Sequence, residues 1–398
     1  MDKKKRVGII VVAACFVAGL VLGISLGLAN RKNRIAIYGL PKNVSEKIQE
    51  YVGSSGEKFD VTVIDGGSGF SVAESKKYDA VFMWNGVLAA SLAKAAVDIP
   101  AQAYSKMPQA VRRSGLVDGK SRMLPILYDH VPLFFCKDAS TYNDFSGPET
   151  LADLEADMET DRGNFSFPML VAGAEDEDFY GFLSMAVESV LGADGYKALV
   201  KNVSEKKDFR AVLDDVLVNT PDGASLSLRS VLEKIFDWQS RGLLQRQWYL
   251  VGRTDLFNLM QYRSFYVSAM PLDYYRNLPR MVGYNYSAYR FPVENPEMDH
   301  GLVAHEIVMI PRSNKKSLRN LEDYLVSLDV QEQLSNVTTF APVHSQSGAY
   351  DSISDDARFY AASTKWGPLP QIDRAAFTSK EDAEKFAKDA REFFIVGQ

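Results

Sequence analysis

Cysteine and histidine are scarce in this 398-residue sequence, with two of the first and four of the second. Cys15 falls in an apolar N-terminal run, so Cys136 has no internal disulfide partner. The fold must rest on its core, and Cys136 reads as a small buried hydrophobe. His300 and His305 lie five apart with Glu306 after them, which is not the H-E-x-x-H spacing. There is no C-x-x-C, no G-x-S-x-G elbow, no Walker loop and no G-x-G-x-x-G. A catalytic set is therefore not expected, nor is a metal or a cofactor. Basic charge is also short. The formal net charge is −6, although Lys3, Lys4, Lys5 and Arg6 crowd the N-terminus against Asp2 alone. The rest of the chain is more acidic still, which excludes nucleic acid as a partner. No internal repeat is present.

One long apolar run is present, from Val7 to Ala29. At about 1.5 Å per residue it reaches roughly 34 Å, enough for a bilayer. Three fates fit it. It can stay as a signal anchor, be cleaved after Ala29, where Gly27-Leu28-Ala29 offers small residues, or be lipidated at Cys15 within Val12-Ala13-Ala14-Cys15. All three send the body across a membrane. The anchor ranks first, which makes the membrane a partner through residues 7–29 and the protein extracytoplasmic but tethered.

The remaining length suggests two domains. Ile35 to Tyr38, Val61 to Ile64 and Ala80 to Trp84 read as apolar strands, with a helix between the first two. That alternation predicts a parallel sheet in an α/β lobe, and ligands of such sheets gather at the strands' carboxyl ends. Tyr38, Asp65, Trp84 and Asn85 fall there. The glycine loop at 66–69 lacks any phosphate-binding spacing and reads as a plain turn. Strands are also expected at Phe167 to Val171, Phe265 to Met270 and Leu302 to Ile310. The acids Glu175 to Asp178 open a helix, where its dipole favours them; Asp176 is kept as a ligand candidate. Trp248 and Tyr249 lie in a polar stretch and are expected to face a ligand, unlike Trp238 on an apolar helical stripe.

The stretch Val117 to Asp138 organises the whole. Its two apolar runs are broken by Pro125 and Pro132, which do not fit one central strand. Tyr128-Asp129-His130 forms a polar knot between them. A crossing between lobes explains it, since clefts between domains collect ligands.

Three passages together resemble the extracellular solute-binding proteins of bacterial ABC importers, in their type II, maltose-binding-protein-like group (family 1). Asp118-Gly119-Lys120…Leu124-Pro125…Asp129…Lys137-Asp138 is similar to the family's first crossing. Ile307 to Lys315 with its following helix is similar to the return passage. Gln331…Phe340-Ala341-Pro342-Val343 is similar to a later one. Two positions depart from the pattern: Cys136 stands for the usual Asn, and Tyr262-Arg263-Ser264 for a Gly-Lys. The resemblance implies a two-lobed type II periplasmic-binding-protein fold, α/β, with hinge crossings, preceded by the apolar N-terminal helix. It implies residues 1–33 as signal segment, 34–128 plus 293–330 as lobe 1, and 129–292 plus 331–398 as lobe 2. Crossings are expected at Tyr128-Asp129-His130, 293–302 and 328–333.

By position, the resemblance places ligand contacts at Trp84, at Asp129 and at Tyr274 or Tyr275, with Trp366 near the late aromatic loop. With Tyr38, Asp65, Asn85, Tyr128, Asp176, Tyr249 and Asp273 these form the candidate site. Aromatic faces stack on sugar rings while acids and amides give directional hydrogen bonds. The expected function is capture of a sugar or oligosaccharide by a monomer and delivery to an ABC permease. A polyamine, peptide or other cationic solute is the alternative ligand. A carbohydrate-active enzyme using a pair such as Asp129 and Glu177 is a further one.

Overall fold

The computed structural model describes residues 33–396 except 68, 141, 143–146 and 221–222. The apolar run at 7–29 and Cys15 lie outside the described residues.

Apolar, β-branched segments build the first sheet. β1 (Asn33–Tyr38) pairs in parallel with β2 (Phe59–Ile64) and β3 (Ala80–Trp84). The helix Lys42–Ser54 crosses between β1 and β2 and buries Val44, Ile48 and Val52. β4 (Leu124–His130) is buried along its whole length. At Val131-Pro132 the chain leaves this sheet. β5 (Leu133–Cys136), β6 (Phe167–Val171), β7 (Phe265–Ala269) and β8 (Tyr286–Tyr289) then form a second sheet in the order β8-β5-β7-β6. The chain returns to the first sheet as β9 (Leu302–Pro311), antiparallel to both β3 and β4. Two sheets, each covered by helices and joined by short crossings, make the two α/β lobes expected.

The boundaries after 330 need correction. The helix Leu328–Thr338, β10 (Ala341–Pro342) and the helix Ser352–Ser363 were expected in lobe 2. Instead β10 pairs with β4, and Val330, Leu334, Phe340, Val343, Ala357 and Ala361 pack in the core of lobe 1. The apolar faces of both helices decide this, because only the first sheet offers them a partner. The third crossing therefore lies near residue 371 rather than at 328–333. β11 (Pro368–Pro370) still pairs with β9, and the next helix, Ile372–Ala376, packs in the lobe 2 core with the last helix, Lys380–Val396.

Candidate functional site

The seam between the lobes holds two chambers. The inner one, about 210 Å³, lies over the hinge strands and is lined by Trp84, Asp129, His130, Glu177, Asp273, Arg276, His305 and Phe340, among others. The outer one, about 490 Å³, opens at the carboxyl ends of β1, β2 and β3 and is lined by Tyr38, Gly39, Gly66, Gly67, Asn85 and Gly86 of lobe 1. Tyr180, Phe377 and Lys380 face them from lobe 2. Trp84 and Glu177 border both chambers.

The partition is an ion-pair relay. Glu177 stands in the first turn of the helix Asp176–Lys206, whose N-terminus favours negative charge. Arg374 meets its Oε1 at 3.2 Å and Arg253 its Oε2 at 3.3 Å. Burial alone would raise the Glu177 carboxyl, but the guanidiniums of Arg374 and Arg253 outweigh it and hold the carboxyl below its ordinary value. Arg374 also lies over the Trp84 indole, 4.4 Å from its centroid. Phe340 stacks on the indole at 6.1 Å and His305 meets it edge-on at 5.7 Å. Gly86 admits the lobe 2 backbone here: a Cβ on it would come within 2.3 Å of the Arg374 carbonyl oxygen.

The floor of the inner chamber is more deeply buried. Asp129 is 5% exposed, and burial pushes its carboxyl up to about 7 despite Arg276 nearby. Burial and Arg276 press His130 down to about 3, and burial and Arg374 do the same to His305. Both imidazoles are therefore neutral at pH 7. Arg276 comes from the short helix Leu272–Arg276 of lobe 2 and reaches across the seam. Its Nη2 donates to Asp351 at 3.2 Å and to Ser354, both on lobe 1, and its Nη1 lies 3.7 Å from Asp129. This guanidinium ties lobe 2 to three lobe 1 residues.

Of the twelve residues expected at the site, Trp84, Asp129 and Asp273 meet in the inner chamber, and Tyr38, Asn85 and Asp176 join Trp84 in the outer one. Their side chains are not equally available. The Asn85 amide donates to Glu306 at 2.5 Å, and Asp176 accepts from Arg391 at 2.6 Å. The other six residues line neither chamber. Tyr128 is fully buried in the lobe 1 core, because alternation along β4 turns it away from Asp129. Tyr249 is 4% exposed in the lobe 2 core, beside Trp248. Trp248 stacks on Phe179 at 5.6 Å, so the expectation that this pair faces a ligand is corrected. Tyr275 stacks on Phe134 at 4.3 Å. Tyr274 donates its hydroxyl to the Arg253 carbonyl. Trp366 packs beside Arg113 and Lys197. Asp65 is exposed at the end of β2. Arg276, Arg374, His305 and Phe340 were not anticipated as site residues. A signal existed for Phe340 alone, in its Phe-Ala-Pro-Val passage.

No family profile matches the sequence, and no curated protein does either. Solved structures do match. The bacterial solute receptor AcbH, described as having an exclusive preference for β-D-galactopyranose, is 11% identical and superimposes with a TM-score of 0.69 over 92% of this chain and 98% of its own. RafE from Streptococcus pneumoniae is 13% identical, with a TM-score of 0.62 over 92% and 98%. A sugar transporter protein of Bacillus licheniformis solved with stachyose is 13% identical, with a TM-score of 0.58 over 92% and 95%. This chain has the two-lobed solute-binding-protein fold. Within that fold the two chambers occupy the interlobe seam, and Arg276 and Arg374 are lobe 2 groups reaching towards lobe 1.

Proposed function

We propose that the protein is an extracytoplasmic solute-binding protein that captures a sugar or oligosaccharide between its lobes and delivers it to an ABC importer. The observation that carries this is the inner chamber. Two aromatic rings, Trp84 and Phe340, stand beside acceptors on Asp129, Asp273 and Glu177 and a donor on Arg276. Apolar ring faces with directional polar groups around them suit a hydroxylated ring. A chamber of about 210 Å³ holds one such ring, since that volume is roughly seven waters' share of the liquid. The structural neighbours described with galactopyranose and stachyose support the same ligand class. Ligand favours the closed arrangement, which a permease would recognise. Residues 7–29 hold the protein at the membrane as an anchor in this reading, and it acts as a monomer.

Thermal-shift screening against a carbohydrate panel tests it. A binding sugar raises the melting temperature with concentration, since it stabilises the folded state alone. In Trp84→Ala the same shift should need a much higher sugar concentration. Stabilisation by polyamines or peptides and by no sugar would sink the ligand class.

A second reading, glycoside hydrolysis, has one observation in its favour. Asp129 and Glu177 line one chamber and are shifted in opposite directions, as an acid and its partner carboxylate would be. Against it, both Glu177 oxygens are engaged by guanidiniums. Release of nitrophenol from nitrophenyl glycosides, lost in both Asp129→Asn and Glu177→Gln, would establish the enzyme.

A further inference from the structure

The amino ends of β1, β2 and β3 form one edge of lobe 1, opposite the chambers. Asn33 pairs there with Phe59, and Ala80 pairs with Ile35 and with Pro311, the last residue of β9. The segments entering and leaving these strands carry an excess of basic charge. Lys58 precedes β2, Lys76 and Lys77 precede β3, and Lys315 and Lys316 follow β9; all five are exposed. The acids on this edge are Glu57, Asp60 and Asp79, and only Asp79 takes a lysine, Lys315 at 2.9 Å. The other four lysines form no ion pair among the described residues. Arg312 adds a guanidinium that donates to the Ser75 hydroxyl rather than to an acid. The excess is local, because the chain as a whole carries −6. Elsewhere exposed lysines such as Lys42, Lys206 and Lys380 are met by acids.

A second, independent observation says what covers this edge. The apolar run ends at Ala29, and β1 opens at Asn33 on the same edge. Only Asn30, Arg31 and Lys32 lie between, and that stretch reaches at most about 14 Å. An edge so joined to a bilayer stays close to the range over which salt screens charge, about 10 Å at 0.1 M. Its composition favours lipid over protein. No exposed large apolar side chain among the described residues lies on it, whereas the core of a protein interface is rich in aromatic residues and poor in Lys. Ammonium groups on flexible stems suit a layer of anionic headgroups, which attracts each Lys or Arg near its surface.

Resting on the reading that residues 7–29 stay as an anchor, we infer that this basic edge of lobe 1 docks on an anionic lipid surface. Both chambers then lie on the far side of the lobe, since the six residues of β1 carry the chain roughly 20 Å from the edge. Solute is captured on the side away from the lipid. An attachment made of single charges without apolar contact is reversible, so the body remains free to meet a permease.

Lysine footprinting tests this on the full chain. The protein is placed in nanodiscs of phosphatidylcholine alone or of an equal mixture with phosphatidylglycerol. A water-soluble reagent acylates exposed amines, and peptide mass spectrometry reads the rate at each lysine. On mixed discs Lys76, Lys77, Lys315 and Lys316 should react about fivefold slower than on phosphatidylcholine discs, the range for one cation drawn to an anionic surface. Lys42 and Lys380, with side chains 90% and 80% exposed at the chamber end, should change by less than about twofold. High salt should remove the difference. Lys76→Glu combined with Lys77→Glu should restore the labelling of Lys315 and Lys316. Equal rates on the two kinds of disc overturn the inference. Equal slowing of Lys42 and Lys380 overturns it too, because this edge is then not the contact. Protection in native membrane vesicles and on neither disc assigns the edge to a protein partner and overturns the lipid. A chain that the discs do not retain sinks the anchor reading, and the inference falls with it while the sugar reading stands.

Discussion

The two chambers share Trp84 and Glu177, yet they are built from different materials. The inner one is floored by hinge strands and holds the buried Asp129 and His130 and the half-buried His305, with Arg276 reaching in from lobe 2. The outer one is rimmed by Gly39, Gly66, Gly67 and Gly86 and walled by apolar groups of both lobes. The buried charged groups therefore sit where the lobes hinge, and the roomier space sits where they open. The difference follows from topology. Strands β4 and β9 must cross the seam and can present side chains only from fixed alternate positions. The turns after β1 and β2 face solvent, and glycine there costs little.

Breaking the inner chamber should have the largest effect. Arg276→Met leaves Asp129 and Asp351 on lobe 1 without the guanidinium that tied them to lobe 2. We expect a loss of about 2–5 kcal/mol, the cost of stripping one partner from a buried charge cluster, read as a lower urea midpoint. An unchanged midpoint would mean that the lobes are held together elsewhere. Trp84→Ala comes next. It removes the ring common to both chambers and should weaken sugar binding by about 2 kcal/mol, close to thirtyfold, as for a central aromatic anchor. Titration with the tightest sugar of the panel measures it. Gly86→Ala acts first on the outer chamber, which Gly86 lines. Its new methyl group strikes the Arg374 carbonyl and should cost about 1–3 kcal/mol of stability through overpacking. It should impair oligosaccharide binding more than monosaccharide binding. Equal impairment of the two would show that the chambers do not work separately.

How much of this was legible beforehand differs by residue. The strands were, because apolar runs bounded by Gly, Pro and Asp have few other uses; Ala80 to Trp84 is an instance. The first crossing was also legible, because Pro132 follows directly on the strand that ends in the Tyr128-Asp129-His130 knot; Pro125, expected to break that strand, lies inside it, opposite the register shift at Ile307-Val308. The third was not. Trp366 to Pro370 looks like a rigid loop, and its pairing with β9 involves residues far apart in sequence. Tyr249 misled because its neighbours Gln245, Arg246 and Gln247 are polar. A short 3-10 turn at Trp248–Leu250 points both rings inward against Phe394. Glu177 was hidden by a good generic reason for its presence, since acids open many helices. Arg374 and Arg276 carry no motif, and their roles exist only because two lobes meet.

The smallest effect sharpens the contrast between the floor of the inner chamber and the rest of the buried charge. Asp129 has its carboxyl raised to about 7, and so has Glu306, 1% exposed and held by Ser114 and Asn85 behind the cleft. A carboxyl whose folded value is raised binds its proton more tightly in the folded state. Its contribution is fully present below the ordinary carboxylate value near 4 and is lost as pH rises through about 7. Folding stability should therefore fall between about pH 5 and 7, by at most about 1.4 kcal/mol per pH unit for each group. Asp129→Asn and Glu306→Gln should each flatten part of that slope in urea titrations at several pH values. Saturating sugar should separate them. A ligand hydroxyl donating to Asp129 favours its charged form and lowers its value, so the slope contributed by Asp129 shrinks. The slope contributed by Glu306, which touches neither chamber, stays. If sugar leaves both slopes alike, Asp129 does not touch the ligand, and the floor of the inner chamber is structural.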